Sequence, residues 1–332
     1  MKVAINGFGR IGRSILRASL NHKNINIVAI NDLGDVNTLA HLLKYDSVFG
    51  VLPYKVKVTN NLIRVGGKSI IIVKQSDPKN LPWKKLGIDV VVESTGLFTT
   101  KQLASQHLKA GAKRVIISAP YEGGDYVKTI ILGVNEKKFD SSQDFVISNG
   151  SCTTNCLAPM AKVLHDNFGI EKGFMTTVHA YTSSQRLVDA PESDLRRARA
   201  AAVNIVLTTS GATSAVTEAI PELKGKIDGI SLRVPVINGS ITDFVSLLKK
   251  EVTINKINNA FKKASKTNMK GILEYSEEPL VSTDIIGNPH SSIIDSLSTQ
   301  VVQGNLVKTV SWYDNEWGYS NRVLDLIKYI SK

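Results

Sequence analysis

Cys152 and Cys156 are the only cysteines in 332 residues, and that scarcity excludes a disulfide framework. Four residues apart, they fall one turn from each other if the segment is helical, where a bridge would constrain little. They lack the CxxC spacing of a zinc site, and no metal is expected. Cysteine usage of this kind fits a reducing, cytoplasmic compartment. No stretch approaches 18 consecutive apolar residues, so neither a transmembrane helix nor a membrane partner is expected. The first residues run straight into an apolar strand, Val3–Ile5, without the charged n-region and long apolar h-region of a signal peptide. Repeats, low-complexity tracts and a Lys/Arg arm are also missing. The missing arm matters because the chain is basic, with 41 Lys and Arg against 29 Asp and Glu and a net charge of +12. Scattered as they are, these charges fit small phosphorylated metabolites better than a dedicated nucleic-acid partner. Their densest cluster, Arg196–Arg197–Ala198–Arg199, is expected inside a helical segment.

What is present is enough apolar material for two cores: 42% of residues are hydrophobic, in a chain about twice the length of a typical domain. The first third alternates strand and helix patterns. Val3–Ile5 reads as a buried strand. Ile11 to Leu20 reads as a helix with Ile11, Ile15, Leu16 and Leu20 on one stripe, and Ile25 to Ile30 as the next strand. Val90–Val92, Val115–Ile117, Ile130–Leu132 and Phe145–Ile147 are further short β-branched runs. Such runs separated by helices predict a parallel sheet in a doubly wound α/β domain. Near Asn149–Gly150 the pattern changes. A helix is predicted from Ser151 to Asn167, then longer strands over Gly173–His179, Ile227–Val236, Ser240–Lys249 and Asn305–Tyr313. This second half predicts an α+β domain on a mixed or antiparallel sheet. The final segment, Ser320 to Ile330, has helical spacing and is expected to return to the first domain. The expected division is 1–150, completed by about 315–332, and 151–314.

Gly7-Phe8-Gly9-Arg10-Ile11-Gly12 follows a strand and opens a helix, and Asp32 ends the next strand 20 residues after Gly12. Glycines permit the tight turn and the close approach of backbone to a pyrophosphate, and the helix N-terminus offers free amides and partial positive charge. A carboxylate at Asp32 accepts from ribose hydroxyls and repels a 2′-phosphate, which favours NAD over NADP.

Cys152 lies in Asn149-Gly150-Ser151-Cys152-Thr153-Thr154-Asn155-Cys156, where a strand gives way to a helix. Amides at a helix N-terminus lower a cysteine pKa and can hold an oxyanion. A buried structural cysteine is the competing reading. Cys156, a turn deeper, reads as a small interior hydrophobe. Among six histidines, His179 is the best partner for a thiolate, because it ends an apolar strand and opens the polar loop Ala180–Gln185. Spacing alone does not place it beside Cys152.

Several segments together are similar to the glyceraldehyde-3-phosphate dehydrogenase family: Ile5–Arg13, Ser151–Pro159, Asp194–Ala201, Leu232–Pro235 and Trp312–Ser320. The resemblance spans essentially the whole chain. It implies a Rossmann domain for NAD and a catalytic domain carrying an inter-subunit loop at about 181–199. It implies a cytoplasmic homotetramer acting on glyceraldehyde 3-phosphate and inorganic phosphate. By this resemblance Cys152 is the nucleophile and His179 the base. Thr182 and Arg233 would hold the substrate phosphate. Ser151, Thr153, Arg197, Ser210 and Gly211 would line the attacking-phosphate region. Gly7, Gly9, Arg10, Ile11, Gly12 and Asp32 would bind the dinucleotide, with Ser76 near the adenine, Ser118 near the nicotinamide ribose, Asn315 on the carboxamide and Tyr319 beside the ring. Leu33 and Pro191 fit the family's NAD-preferring pattern. The chain departs from that pattern at Ser76-Asp77, where Arg-Asp is common, and at Glu192-Ser193, where His-Lys is. Ser210 replaces a usual Thr and Ser214 a common Lys, which bears on affinity rather than on the reaction. Three alternatives remain: an erythrose-4-phosphate dehydrogenase on the same scaffold, a cysteine hydrolase, which the dinucleotide fingerprint disfavours, and a basic nucleic-acid or surface-binding protein.

Overall fold

A computed structural model describes residues 1–331. The chain divides into two units. The first comprises 1–130, 137–150 and the segment from Ser320, and the second 131–136 and 151–319. Residues 131–136 and 315–319 therefore group with the second unit, not with the first as the expected boundaries had them.

In the first unit, β1 (Lys2–Asn6) leads into α1 (Arg10–Ser19), β2 (Asn26–Asn31) and α2 (Val36–Lys44). A small hairpin follows, of β3 (Tyr45–Asp46) and β4 (Gly50–Val51). Then come three strands, β5 (Val56–Thr59), β6 (Leu62–Val65) and β7 (Lys68–Val73), and the short helix α3 (Trp83–Leu86). β8 (Val90–Glu93), α4 (Lys101–Ala104), α5 (Gln106–Lys109), β9 (Arg114–Ile117), β10 (Lys128–Thr129) and β11 (Val146–Ser148) complete the unit's strands. The sheet order is β10-β11-β9-β8-β1-β2-β7-β6-β5. Pairing is parallel from β10 through β7 and antiparallel from β7 to β5. Val3, Ala4, Ile5 and Val90–Val92 are buried, which explains their unbroken apolar runs: a parallel sheet is covered on both faces. Chain order reverses between β1 and β8, the switch point at which such sheets take nucleotides. One expectation fails here. Ile130–Leu132 is not a strand; its β segment is the preceding Lys128–Thr129, and Asn135 Oδ1 accepts from the Ile131 amide in a local turn at 2.7 Å. The β5–β7 meander was not foreseen.

The second unit opens with α6 (Cys152–Phe168), followed by β12 (Ile170–Ala180), β13 (Val206–Thr209) and α7 (Ala212–Ala219). β14 (Ile227–Val234), β15 (Ser240–Leu248), α8 (Ile254–Lys266), β16 (Leu273–Ser276), β17 (Ser292–Asp295), β18 (Gln300–Val302) and β19 (Leu306–Tyr313) follow. α9 (Trp317–Tyr329) starts in this unit and continues in the first. The sheet is mixed, in the order β13-β14-β12-β15-β19-β17-β16, with β18 on β19. β12 pairs parallel with β14 and antiparallel with β15, over eight register pairs each, so two long neighbours brace the strand that carries His179 next to its last residue. The core gathers Leu157, Met160, Leu164, Met175, Phe244 and Phe261. α6 is buried almost throughout, from Thr153 to Leu164. The Arg196–Arg199 cluster is a turn, not a helix. Asp194 Oδ1 accepts from the amides of Arg196 (2.9 Å) and Arg197 (3.4 Å), an Asx turn that competes with helix formation.

Candidate active site

At the end of β1 the chain turns through Gly7 at φ +93°, a conformation open to glycine at little cost. A Cβ on Gly12 would lie 2.2 Å from the Gly7 carbonyl oxygen, whereas a Cβ on Gly9 would meet nothing within 4 Å. Gly12 therefore closes the turn against helix α1, and Gly9 leaves the helix N-terminus open. No side chain caps α1, and a helix N-terminus directs its first amides and partial positive charge toward an anion placed there. Asp32 is half-buried beneath the turn. Its Oδ2 accepts from the Phe8 amide at 2.7 Å and its Oδ1 from the Gly34 amide at 2.8 Å, leaving further lone pairs for a ribose. The open cradle at Gly9, the helix N-terminus behind it and this oriented carboxylate fit the adenosine and pyrophosphate of a dinucleotide. The Arg10 side chain is occupied elsewhere, in a bidentate pair with Asp46 at 2.6 and 3.1 Å, so any contribution to the cofactor is through its backbone. Ser76 is exposed just after β7, and Ser118 follows β9 with its amide bonded to the Glu93 carbonyl at 2.9 Å.

In the second unit, Ser151 caps α6 in a capping box with Thr154. Thr154 N is thereby spent on Ser151 Oγ and Asn155 N on the Ser151 carbonyl. The amides of Cys152 and Thr153 remain, and both bear on the Cys152 sulfur. Sγ lies 3.3 Å from His179 Nε2, so the structure brings together two residues 27 apart in sequence. His179 Nδ1 lies 2.6 Å from the Ala180 carbonyl and 2.7 Å from Arg233 Nη1, which also donates to that carbonyl at 3.2 Å. Nδ1 thus faces one acceptor, Ala180 O, and one obligate donor, Arg233. The base-competent tautomer is the one that donates Nδ1–H to Ala180 O, with Arg233 Nη1 given to the same carbonyl, and turns the Nε2 lone pair toward the sulfur. Burial first, and then the neighbouring Arg233 cation, push the imidazole down to about 3. Burial also pushes the Cys152 thiol up, against Arg233 and the Thr153 amide and hydroxyl, which pull it down. The helix amides thus act in the expected direction, but desolvation outweighs them, and the pair rests as thiol and neutral imidazole. Cys156 is buried below, pushed up to about 11 by its burial.

Arg233 has its Nε buried without a partner, a donor held ready for an anion. Thr182 does not meet it: its Oγ1 is bonded to Ser184 Oγ at 2.9 Å. Arg197 lies against β13, with Nε and Nη2 on Thr208 Oγ1 at 2.9 and 2.7 Å, shortly before Ser210 and Gly211 at the start of α7. Ser210 Oγ accepts from Ala212 N at 3.3 Å, and Ser214 is exposed. The Thr153 hydroxyl is linked to Tyr313 Oη (2.9 Å), and that in turn to Thr177 Oγ1 (2.7 Å). Tyr313 also meets the His179 ring edge-on, with centroids 5.9 Å apart. Asn315 Oδ1 accepts from Ser240 Oγ at 2.8 Å, and Ser240 Oγ accepts from the Ala180 amide at 3.1 Å, which fixes the side-chain amide with its oxygen on Ser240 and its nitrogen as the donor end. Tyr319 is buried. Sequence reasoning missed Tyr313 and Ser240 as supports. Tyr313 lies within a segment already singled out, whereas nothing marks Ser240. Glu192, one of the departures, pairs with Arg186 at 2.9 Å.

The N-terminal part, residues 1–101, matches the model of the glyceraldehyde 3-phosphate dehydrogenase NAD binding domain. Residues 151–315 match the C-terminal domain of the same enzymes. Over the full chain it is 58% identical to glyceraldehyde-3-phosphate dehydrogenase of Geobacillus stearothermophilus, covering 98% of that protein. It is 57% identical to glyceraldehyde-3-phosphate dehydrogenase 1 of Bacillus subtilis, again over the whole chain and 98% of the relative. It is 56% identical to the Borreliella burgdorferi enzyme over all of both chains. A parallel nucleotide-binding sheet with an open glycine turn, matched by an NAD-domain model, defines an NAD-dependent oxidoreductase. Within that class, the chain belongs to the glyceraldehyde-3-phosphate dehydrogenase family.

Proposed function

We propose that the chain oxidises glyceraldehyde 3-phosphate in the presence of NAD and inorganic phosphate, through a thioester on Cys152, and releases 1,3-bisphosphoglycerate. The observation that carries this is the 3.3 Å approach of Cys152 Sγ to the neutral Nε2 of His179 at the start of α6. Sγ bonds to the aldehyde carbon while its proton passes to Nε2. The Cys152 and Thr153 amides face the developing oxyanion. His179 returns that proton to the oxyanion, which gives the hemithioacetal hydroxyl, and its Nε2 is free again. A bound NAD would supply the hydride acceptor; as hydride leaves the hemithioacetal carbon, His179 takes the hydroxyl proton and a thioester remains. Inorganic phosphate then attacks the thioester carbon, the C–S bond breaks, and the acyl phosphate departs.

Arg233 offers its free Nε to the substrate phosphate, and Thr182 joins it once released from Ser184. The dianion offsets the charge that depresses His179, so substrate binding prepares the base to take a proton. Thr153, Ser151, Arg197, Ser210 and the Gly211 amide receive the attacking phosphate. Asn315 donates to the carboxamide, and Ser118, Ser76 and Tyr319 complete the cofactor contacts. The assembly is a cytoplasmic homotetramer: Leu187 and Leu195 on the 181–199 loop are 81% and 82% exposed in the single chain, apolar surface that a second subunit would cover. The test is NADH absorbance with glyceraldehyde 3-phosphate and NAD, with and without phosphate, for wild type and Cys152→Ser. Phosphate-dependent turnover lost in Cys152→Ser is expected. Turnover indifferent to phosphate, or faster with erythrose 4-phosphate, would overturn the assignment.

A further inference from the structure

A buried polar network lies across the C-terminal ends of β1, β2 and β8 and the segment just past β7, and the reaction above makes no use of it. Its centre is Glu93, the last residue of β8, which is 2% exposed. Oε2 accepts from Asn6 Nδ2 at 2.6 Å and faces His107 Nε2 at 3.0 Å. Oε1 accepts from the Thr95 amide at 2.8 Å and from the Thr95 hydroxyl. The proton positions follow from donor chemistry. An indole only donates, and Trp83 Nε1 lies 3.1 Å from His107 Nδ1, so His107 carries its proton on Nε2 and donates it to Glu93. Asn6 gives Nδ2 to Glu93 and receives Asn31 Nδ2 on Oδ1 at 2.7 Å. Asn31 also donates to the Gln75 carbonyl (2.8 Å) and accepts from the Gln75 amide (2.9 Å). Every member is oriented by the next, and four donors converge on one carboxylate.

Three members of this network directly precede dinucleotide-site residues, and the fourth, Glu93, precedes the loop packed under the Gly7 turn. Asn6 precedes Gly7, Asn31 precedes Asp32, Gln75 precedes Ser76, and Glu93 precedes the Ser94–Thr95 loop. That loop is the floor of the Gly7 turn: a Cβ on Gly7 would lie 2.7 Å from Thr95 N, and Ser94 Oγ donates to the Gly7 carbonyl at 2.7 Å.

We propose that Glu93 is a positioning residue for the dinucleotide, fixing the Gly7 turn and the Asp32 carboxylate through one shared set of hydrogen bonds. The proposal rests on the reading of Gly7–Gly12 and Asp32 as the NAD site. Glu93→Gln keeps the shape but must turn its NH₂ toward donors, either Thr95 or Asn6 and His107. The experiment is NAD binding to the full chain by calorimetry, with melting temperature, KM for NAD, kcat and Cys152 alkylation by iodoacetamide read alongside. For Glu93→Gln we expect a Kd for NAD at least tenfold weaker, a raised KM for NAD, and kcat at saturation and alkylation within twofold of wild type. Trp83→Phe, which removes a donor at the far end of the network, is expected to lower the melting temperature while leaving Kd within twofold. Should Glu93→Gln fail to fold, Thr95→Val, on a half-exposed loop, is expected to weaken NAD binding threefold or more. Glu93→Gln or Thr95→Val with wild-type affinity, whatever its melting temperature, overturns the proposal. A wild type that binds no NAD overturns the underlying site reading, and the proposal with it.

Discussion

Replacing His179 by Asn tests the chemistry most directly. The imidazole is 3% exposed, its Nε2 is 3.3 Å from Cys152 Sγ, and burial with Arg233 holds it near 3. It is therefore an unprotonated base across the whole neutral range. Asn places a polar group where Nδ1 stood and cannot take the thiol proton. A positioned general base is worth about 10²–10⁴ in rate, or roughly 3–5 kcal/mol of barrier. The burial that raises the Cys152 thiol places this loss toward the upper end, since water must then deprotonate a disfavoured acid. The assay is the stopped-flow burst of NADH on mixing with glyceraldehyde 3-phosphate and NAD. At pH 7 the His179→Asn burst should be slower by two to four orders of magnitude, and should climb with pH into the thiol range. A burst within threefold of wild type at pH 7 would refute His179 as the base.

Further outcomes follow from the same geometry. Gly12→Ala should destabilise the first unit by about 3 kcal/mol or more, since its Cβ would overlap a carbonyl oxygen; Gly9→Ala should leave the melting temperature unchanged and weaken NAD binding at least tenfold. A Gly9→Ala chain with wild-type NAD affinity would remove the pyrophosphate from that cradle. Arg233→Leu should cut kcat/KM for glyceraldehyde 3-phosphate by about 10–100-fold, the worth of one or two charge-assisted hydrogen bonds, and affect unphosphorylated glyceraldehyde much less; equal losses on both aldehydes would count against a phosphate contact. Because the His179 pKa is depressed, the unfolded chain binds a proton below about 6.5 that the folded site refuses until about 3. Unfolding free energy should thus fall as pH is lowered through that window, by up to ~5 kcal/mol from this group. Urea titrations of His179→Asn should show a shallower acid dependence, and identical slopes would contradict the depressed imidazole.

The βαβ stretch from β1 to β2 was legible because three signals coincide within it: an unbroken apolar strand, glycines at the turn, and a carboxylate at the next strand end. The β5–β7 meander carried its own signals in Asn60–Asn61 and Gly66–Gly67, with Asn60 at φ +51°, and closer attention to turn chemistry would have found it. Arg196–Arg199 misled because helix-compatible residues follow an aspartate whose side chain satisfies the local amides in a turn. The meeting of Cys152 with His179 was beyond periodicity. It depends on β12 and α6 packing in one core, a long-range event with no local trace. Glu93 and His107 were invisible for the opposite reason: isolated polar residues read as surface, and only the folded sheet shows that they are paired in the interior.

α6 serves as the central beam of the second unit's core and holds the nucleophile on its first turn. The reactive sulfur has no compliant loop between it and the packed interior. Loss of that core consequently removes the nucleophile with it, so heat or denaturant should leave no population that is unfolded there but active. A cavity beneath α6 would therefore loosen the fold and the placement of the nucleophile at once.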